Sequence, residues 1–91
     1  MATKKIKATK TFRIGEYVVG GIIKLIINGD KLQIQFLDYF TKDLILVEVI
    51  DINQEDAYRK ARNFVEENGT YYYADQVMKW IESKVTLNIS I

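Results

Sequence analysis

The chain has 91 residues, of which 48% are hydrophobic and 27% are charged. This length provides one domain with a modest core, and the composition is typical of a globular protein rather than a disordered one. The sequence contains neither cysteine nor histidine. It therefore excludes disulfides and thiolate metal sites, and it lacks the usual general base and the strongest nucleophile of enzymes.

The net charge of +1 conceals an uneven distribution of charge along the chain. The basic residues that precede the first acid, Glu16, are Lys4, Lys5, Lys7, Lys10 and Arg13. The remainder has 8 basic and 12 acidic residues and therefore a net charge of −4. The sequence predicts a flexible basic arm over residues 1–9 and a single α+β domain over residues 10–91.

No segment of the sequence predicts export or membrane insertion. The basic N-terminal stretch lacks the continuous apolar segment of a secretion signal. No stretch reaches the roughly 18–20 apolar residues that a membrane-spanning helix needs. We therefore expect a cytoplasmic protein.

Four strands are predicted in the first half of the chain. Residues 10–19 alternate apolar and polar side chains, and residues 22–27 form a second, almost wholly apolar strand. Asn28-Gly29, which favours a type I′ turn, connects it to a third strand over residues 30–39. A turn at Thr41-Lys42 leads to the fourth strand.

The period of the pattern then changes from two residues to that of a helix. Asn53 is a candidate N-cap, Ala57, Ala61, Phe64 and Val65 form one apolar stripe, and Gly69 occupies a C-terminal capping position. A second helix is predicted over residues 72–84 and a final strand over residues 85–91. The order β-β-β-β-α-α-β predicts an α+β fold, in which an antiparallel sheet of four to five strands carries the helices on one face.

The two turns also predict which side chains share a face of the sheet. One face is wholly apolar and is the expected seat of the first helix. It comprises Ile23, Leu25, Leu32, Ile34, Phe36, Ile45, Val47 and Val49. The opposite face is mixed and comprises Lys24, Lys31, Gln33, Gln35, Glu48, Ile22, Ile26, Leu37, Tyr39, Leu44, Leu46 and Ile50.

The mixed face carries more apolar surface than an ordinary solvated face. At roughly 25 cal/mol per Å², covering such a patch contributes several kcal/mol. Three coverings fit the sequence: the second helix with Trp80 or the terminal strands, a second copy of the chain, or a foreign macromolecule.

Catalysis is poorly supported by the pattern of carboxylates. A metal-dependent hydrolase would have to use Asp38, Glu48 and Asp51, which are scattered, and Asp38 is more simply interpreted as a cap of the turn that follows it. The glycines are not followed by a helix that could bind phosphate. We predict no catalytic site, metal, cofactor or small-molecule substrate.

The sequence is most consistent with a small non-enzymatic binding protein that contacts another protein or a second copy of itself. The predicted contact residues are Leu37, Tyr39, Leu44, Leu46, Tyr71 and Tyr72, because exposed aromatic and aliphatic side chains are enriched in binding sites. A regulator or inhibitor from a phage or mobile element is the corresponding hypothesis.

The alternative is a nucleic-acid-binding module. It would use the basic arm for phosphates and glutamines of the mixed face for base edges. Its predicted residues are Lys4, Lys5, Lys7, Lys10, Arg13, Lys24, Lys31, Gln33 and Gln35. An acidic body, with Glu48 on the predicted face, weighs against it.

Overall fold

The computed structural model describes residues 6–14 and 20–87. These form a four-stranded antiparallel sheet followed by two helices, which confirms the predicted α+β fold. The strands lie in sequence order across the sheet. The elements are β1 (Lys7–Arg13), β2 (Gly21–Asn28), β3 (Lys31–Asp38), β4 (Leu44–Asp51), α1 (Ala57–Asn68) and α2 (Tyr71–Glu82).

Both helices pack on one face of the sheet, because their buried side chains share one cluster with alternate residues of β2 and β3. The cluster comprises Ile23, Leu25, Ile27, Leu32, Ile34, Phe36, Ile50, Ala57, Ala61, Val65, Ala74, Val77, Met78, Ile81 and Leu87. The predicted stripe of α1 is confirmed, with Phe64 stacking edge-to-face on Phe36 at 5.4 Å between ring centroids. Two of the α1 residues in the cluster, Ala57 and Ala61, are small, and α1 contacts β4 directly.

The helix ends agree with the sequence except at the start of α1. This helix begins at Ala57, so the predicted N-cap Asn53 is wrong; Asp56 occupies the position, in a left-handed conformation without a side-chain cap. At the other end, the N–H of Gly69 donates to Val65 O over 2.7 Å, as its predicted capping role requires. Helix α2 begins after Thr70, whose Oγ accepts from the N–H of Tyr73.

The two ends of the predicted domain lie only partly within the described residues. Strand β1 begins at Lys7, so residues 7–9 pair with β2, and the arm predicted over residues 1–9 is described only from residue 6. The predicted first strand extends over residues 15–19 and the predicted final strand over residues 88–91, both outside the described residues. Residues 85–87 are not in a strand, and Leu87 is buried in the core.

The turn between β2 and β3 differs from the predicted one, but the side chains of both strands keep their predicted faces. Its two central residues are Gly29 and Asp30, since Asn28 pairs with Lys31. The register of β2 on β3 is therefore displaced by two residues from the predicted one. Because side chains alternate with a period of two, every side chain stays on its predicted face.

The register of β4 on β3 differs from the predicted one by one residue, and this exchanges the two faces of β4. Leu46 pairs with Phe36 and Glu48 pairs with Ile34, with a shift in register between Phe36 and Leu37. Leu46, Glu48 and Ile50 consequently face the helices, and Val47 and Val49 face away. The predicted placement of Ile45, Val47 and Val49 in the core is wrong, as is that of Leu46, Glu48 and Ile50 on the mixed face. Ile50 is 1% exposed and Val49 is 54% exposed.

Asp38 fixes the turn that sets this register. Its Oδ1 accepts from the N–H of Phe40 and of Thr41, each over 2.8 Å. Its backbone N–H donates to Asp43 O, its backbone carbonyl accepts from Lys42 N–H, and Lys42 has φ 67°. The connection is therefore five residues long instead of two. The interpretation of Asp38 as a turn-capping residue is confirmed.

The reversed register predicts opposite effects for two glutamate substitutions. Leu46→Glu places a charge against the core, and we expect it to lower the free energy of unfolding by about 2 kcal/mol or more. Val49→Glu lies on the exposed side, and we expect a change of about 0.5 kcal/mol. Urea unfolding measures both, and a larger loss for Val49→Glu would contradict the observed register.

Candidate functional site

The face of the sheet that points away from the helices, here called the open face, is built from alternate residues of all four strands. The observed registers align these residues in four rows that cross the sheet from β1 to β4. The rows are Lys7–Asn28–Lys31–Asp51, Thr9–Ile26–Gln33–Val49, Thr11–Lys24–Gln35–Val47 and Arg13–Ile22–Leu37–Leu44. The β1 ends of the rows are polar or basic, and three of the four β4 ends are apolar.

The apolar half of the open face is exposed. Leu44 is 53% exposed, Val47 44% and Val49 54%. Half-buried Leu37 lies opposite Leu44 on the neighbouring strand. Together these side chains form the β4 patch (Leu37, Leu44, Val47 and Val49), which neither helix covers.

Aromatic rings of the β3–β4 turn extend the β4 patch at one end. Tyr39 is 38% exposed and Phe40 is 81% exposed, and their rings stack edge-to-face with centroids 5.3 Å apart. The ammonium of Lys42 lies 5.3 Å from the centre of the Tyr39 ring. A stacked pair of exposed rings beside aliphatic side chains is typical of protein-binding surfaces.

The polar half of the open face is basic. It carries Lys7 and Arg13 on β1 and Lys24 on β2. Lys31 donates to the carboxylate of Asp51 over 3.1 Å, and this ion pair spans β3 and β4 at the end of the sheet. In the centre, the amide of Gln35 donates to Oε1 of Gln33.

The outer edge of β4 offers unpaired backbone groups. Ile52 N–H donates to Asp30 O, so Ile50, Glu48 and Leu46, at alternate positions, bond to β3 in the same way. The backbone groups of Val47 and Val49 therefore point outward, and no described strand adjoins them. At the end of the strand, Gln54 binds both outward groups of Asp51, through its side-chain oxygen at 2.9 Å and its N–H at 3.0 Å.

A groove of about 400 Å³ runs along this edge, between β4 and α1. It is lined by residues 48–50 of β4, by Gln54 and by one side of α1. The lining residues of α1 are Lys60, Asn63, Phe64 and Glu67. We call it the edge groove.

Three charged side chains of the two helices form ion pairs with one another. Arg62 on α1 binds Asp75 on α2 and Glu66 one turn along α1, each over 2.7 Å. The hydrogen bond that Arg62 donates to the Asp75 carboxylate raises the pKa of Arg62 above its ordinary value. These contacts join the two helices.

The structure brings together only some of the residues predicted to bind a protein. Leu37, Leu44 and Tyr39 lie in or beside the β4 patch, whereas Leu46 is half-buried against the core. Tyr71 and Tyr72, 72% and 66% exposed, begin α2 in the helical layer. Sequence reasoning missed Val47, Val49 and Phe40.

The residues predicted to bind nucleic acid are better grouped. Lys7, Arg13, Lys24, Lys31, Gln33 and Gln35 all belong to the open face. Lys10 faces the helical side, with its ammonium 5.5 Å from the centre of the Phe12 ring. Lys4 and Lys5 lie outside the described residues.

The three carboxylates considered for hydrolysis lie in different places. Asp38 caps a turn, Glu48 faces the helices, and Asp51 faces the opposite side of the sheet and binds Lys31. Within residues 6–14 and 20–87, no group of three or more acidic side chains could hold a metal ion.

Comparison with protein-family models, curated proteins and solved structures finds no match to this chain. None of the helices in the described part of the chain is long and apolar enough to cross a membrane.

The turn at Asp38 predicts a specific response to acid. The backbone N–H groups of Thr41 and Phe40 lower the pKa of Asp38 below its ordinary value. Its stabilising effect is therefore complete above about pH 4, the ordinary aspartate range, and is lost as pH falls through the lowered pKa. Asp38→Asn keeps an acceptor oxygen but cannot titrate, so we expect its melting temperature to fall less steeply than that of the wild type below about pH 4.

The control for this prediction is Asp38→Ala, which removes the acceptor and should melt lower than Asp38→Asn across the neutral range. Identical acid profiles for the wild type and Asp38→Asn would contradict the role of the charge.

Proposed function

We propose that this protein is a small non-enzymatic binding protein that acts by contact with another protein through the open face of its sheet. The β4 patch carries the proposal: three aliphatic side chains on one face are about half exposed, although the same chain buries a full core on the other face. Because covering apolar surface is favourable, this patch has a free-energy gain available on binding. A regulator or inhibitor is the corresponding class of protein.

The open face also indicates the chemistry of the partner. Apolar residues occupy its β4 half, and Arg13 and Lys24 lie toward β1 without an ion pair to any described residue. A complementary protein surface has an apolar centre with acidic side chains on one flank, since matching potentials favour specific association. The partner is therefore expected to be a protein with a mixed apolar and acidic patch.

Affinity capture with matched variants tests this proposal. Immobilised wild-type chain is exposed to extracts of the cells that express it, beside Val49→Lys, Lys24→Glu and Arg59→Glu. We expect Val49→Lys to reduce retention of the partner at least about tenfold, because it puts a charge into the apolar centre. Lys24→Glu should weaken retention by reversing a flanking charge.

Arg59→Glu is the matched control, since Arg59 is exposed on α1 in the helical layer. Thermal melting of each variant checks that the fold is kept. Proteins retained equally by the wild type and Val49→Lys would contradict the proposal.

A second candidate function, nucleic-acid binding, is favoured by one observation. Glu48 faces the helices, so the described residues of the open face include four basic side chains and a single acid, Asp51, which is bound to Lys31. Basic side chains can bind phosphates, and Gln33 and Gln35 lie where base edges would approach.

A salt series distinguishes this candidate. Binding to random-sequence DNA or RNA that falls steeply with salt, and falls further in Arg13→Glu and Lys24→Glu, would favour nucleic acid. Absence of binding at low salt would exclude it.

A further inference from the structure

The two outer edges of the sheet differ in how they are protected against pairing. Natural sheets commonly protect an edge with charged side chains, lysine above all. Strand β1 has the sequence KATKTFR, with three basic residues in seven. Strand β4 has the sequence LILVEVID, in which the only charge before the final residue is Glu48. A long apolar edge of this kind is a template for another strand.

The side of α1 beside this edge is complementary to itself under a twofold rotation. Lys60, Asn63, Phe64 and Glu67 line the edge groove at helical spacing, with a positive charge at one end and a negative charge at the other. A twofold rotation reverses the direction of the helix. The lysine of one copy then lies opposite the glutamate of the other, twice in each dimer.

We propose that two copies of this chain pair antiparallel through β4. Their sheets join into one of eight strands, and their α1 helices pack antiparallel, with Lys60 of each copy beside Glu67 of the other. The occupant of the edge groove is thus a second copy of the chain.

A single twofold axis can relate both the two β4 strands and the two α1 helices. The Phe64 ring contacts Phe36, which pairs with Leu46. The Lys60–Glu67 stretch also lines the edge groove beside residues 48–50, so its middle lies beside the central residues of β4. Paired strands lie about 4.8 Å apart, and helices pack at about 8–10 Å. Because α1 contacts β4 directly, pairing of the strands brings the two α1 helices within packing range.

The faces of the two sheets limit where along β4 the twofold axis can pass. An axis normal to the sheet keeps both open faces on one side, so it must pass through a residue of β4. An axis through Glu48 would set two carboxylates directly opposite each other, which is unfavourable. An axis through Val47 sets Glu48 opposite Leu46 of the other copy, and the outward backbone groups of the two Val47 residues bond to each other.

This pairing goes beyond the proposed function, because it uses the edge of β4 rather than the open face. It leaves the open face accessible, and joins two β4 patches side by side.

Reversing the charge of Lys60 or of Glu67 tests the proposed pairing, with light scattering to measure the mass of the protein in solution. The wild type is expected at twice its chain mass of 10.6 kDa. Lys60→Glu leaves a glutamate at both ends of the α1 contact, and Glu67→Lys leaves a lysine at both ends. We expect each variant alone to dimerise at least about tenfold more weakly, because like charges then oppose each other at both contacts.

An equimolar mixture of the two variants decides the arrangement. Each pair in the mixed dimer is again of opposite charge, so we expect dimerisation within about threefold of the wild type. Arg59→Glu makes the same charge change one residue away from the groove and should remain dimeric. Val47→Pro removes an outward N–H that β3 does not use, and should give a folded monomer.

Each remaining outcome would overturn the proposal. A monomeric wild type at about 0.1 mM excludes a dimer in the usual affinity range. A wild-type dimer that Lys60→Glu and Glu67→Lys leave intact excludes the antiparallel α1 contact. Partner capture that depends on Val49 in either case would leave the proposed function standing, so the two failures are distinguishable.

Discussion

The register of β4 on β3 is the constraint on which the surface of this protein depends. The Asp38 carboxylate holds a five-residue turn, and the shift between Phe36 and Leu37 places Leu46, Glu48 and Ile50 toward the helices. A displacement of one residue would exchange these side chains with Val47 and Val49. The same displacement would put an acid among the bases of the open face, so one turn sets both the apolar and the electrostatic character of this surface.

The faces of β2, β3 and α1 could be predicted because the sequence pattern of each of these elements has one interpretation. β2 and β3 are paired by a short turn, a displacement by two residues preserves their faces, and the stripe of α1 has a clear helical period. The sequence pattern of β4 does not show which of its faces is buried, because LILVEVID is apolar at both odd and even positions. Turn length alone decides its orientation, and the sequence does not reveal the bonds of Asp38 to the backbone.

The same ambiguity explains why the candidate site was only partly predicted. Leu37 lies before the turn and is on its predicted face, whereas Leu46 and Val49 lie after the turn and are exchanged between the two faces. The start of α1 was missed for a different reason. Asp56 adopts a left-handed conformation without a side-chain cap, so the usual N-cap signal at Asn53 pointed to a start that is too early in the chain.

The basic side chains of β1 would limit the number of chains in the proposed assembly. A sheet with two unprotected edges can add subunits head to tail without end, and such growth produces fibres. Here one edge carries Lys7, Lys10 and Arg13, and a neighbour that approached it would have to strip water from these charges. The assembly proposed through β4 would use the one edge among the described strands that basic side chains do not protect, so it would be complete with two chains.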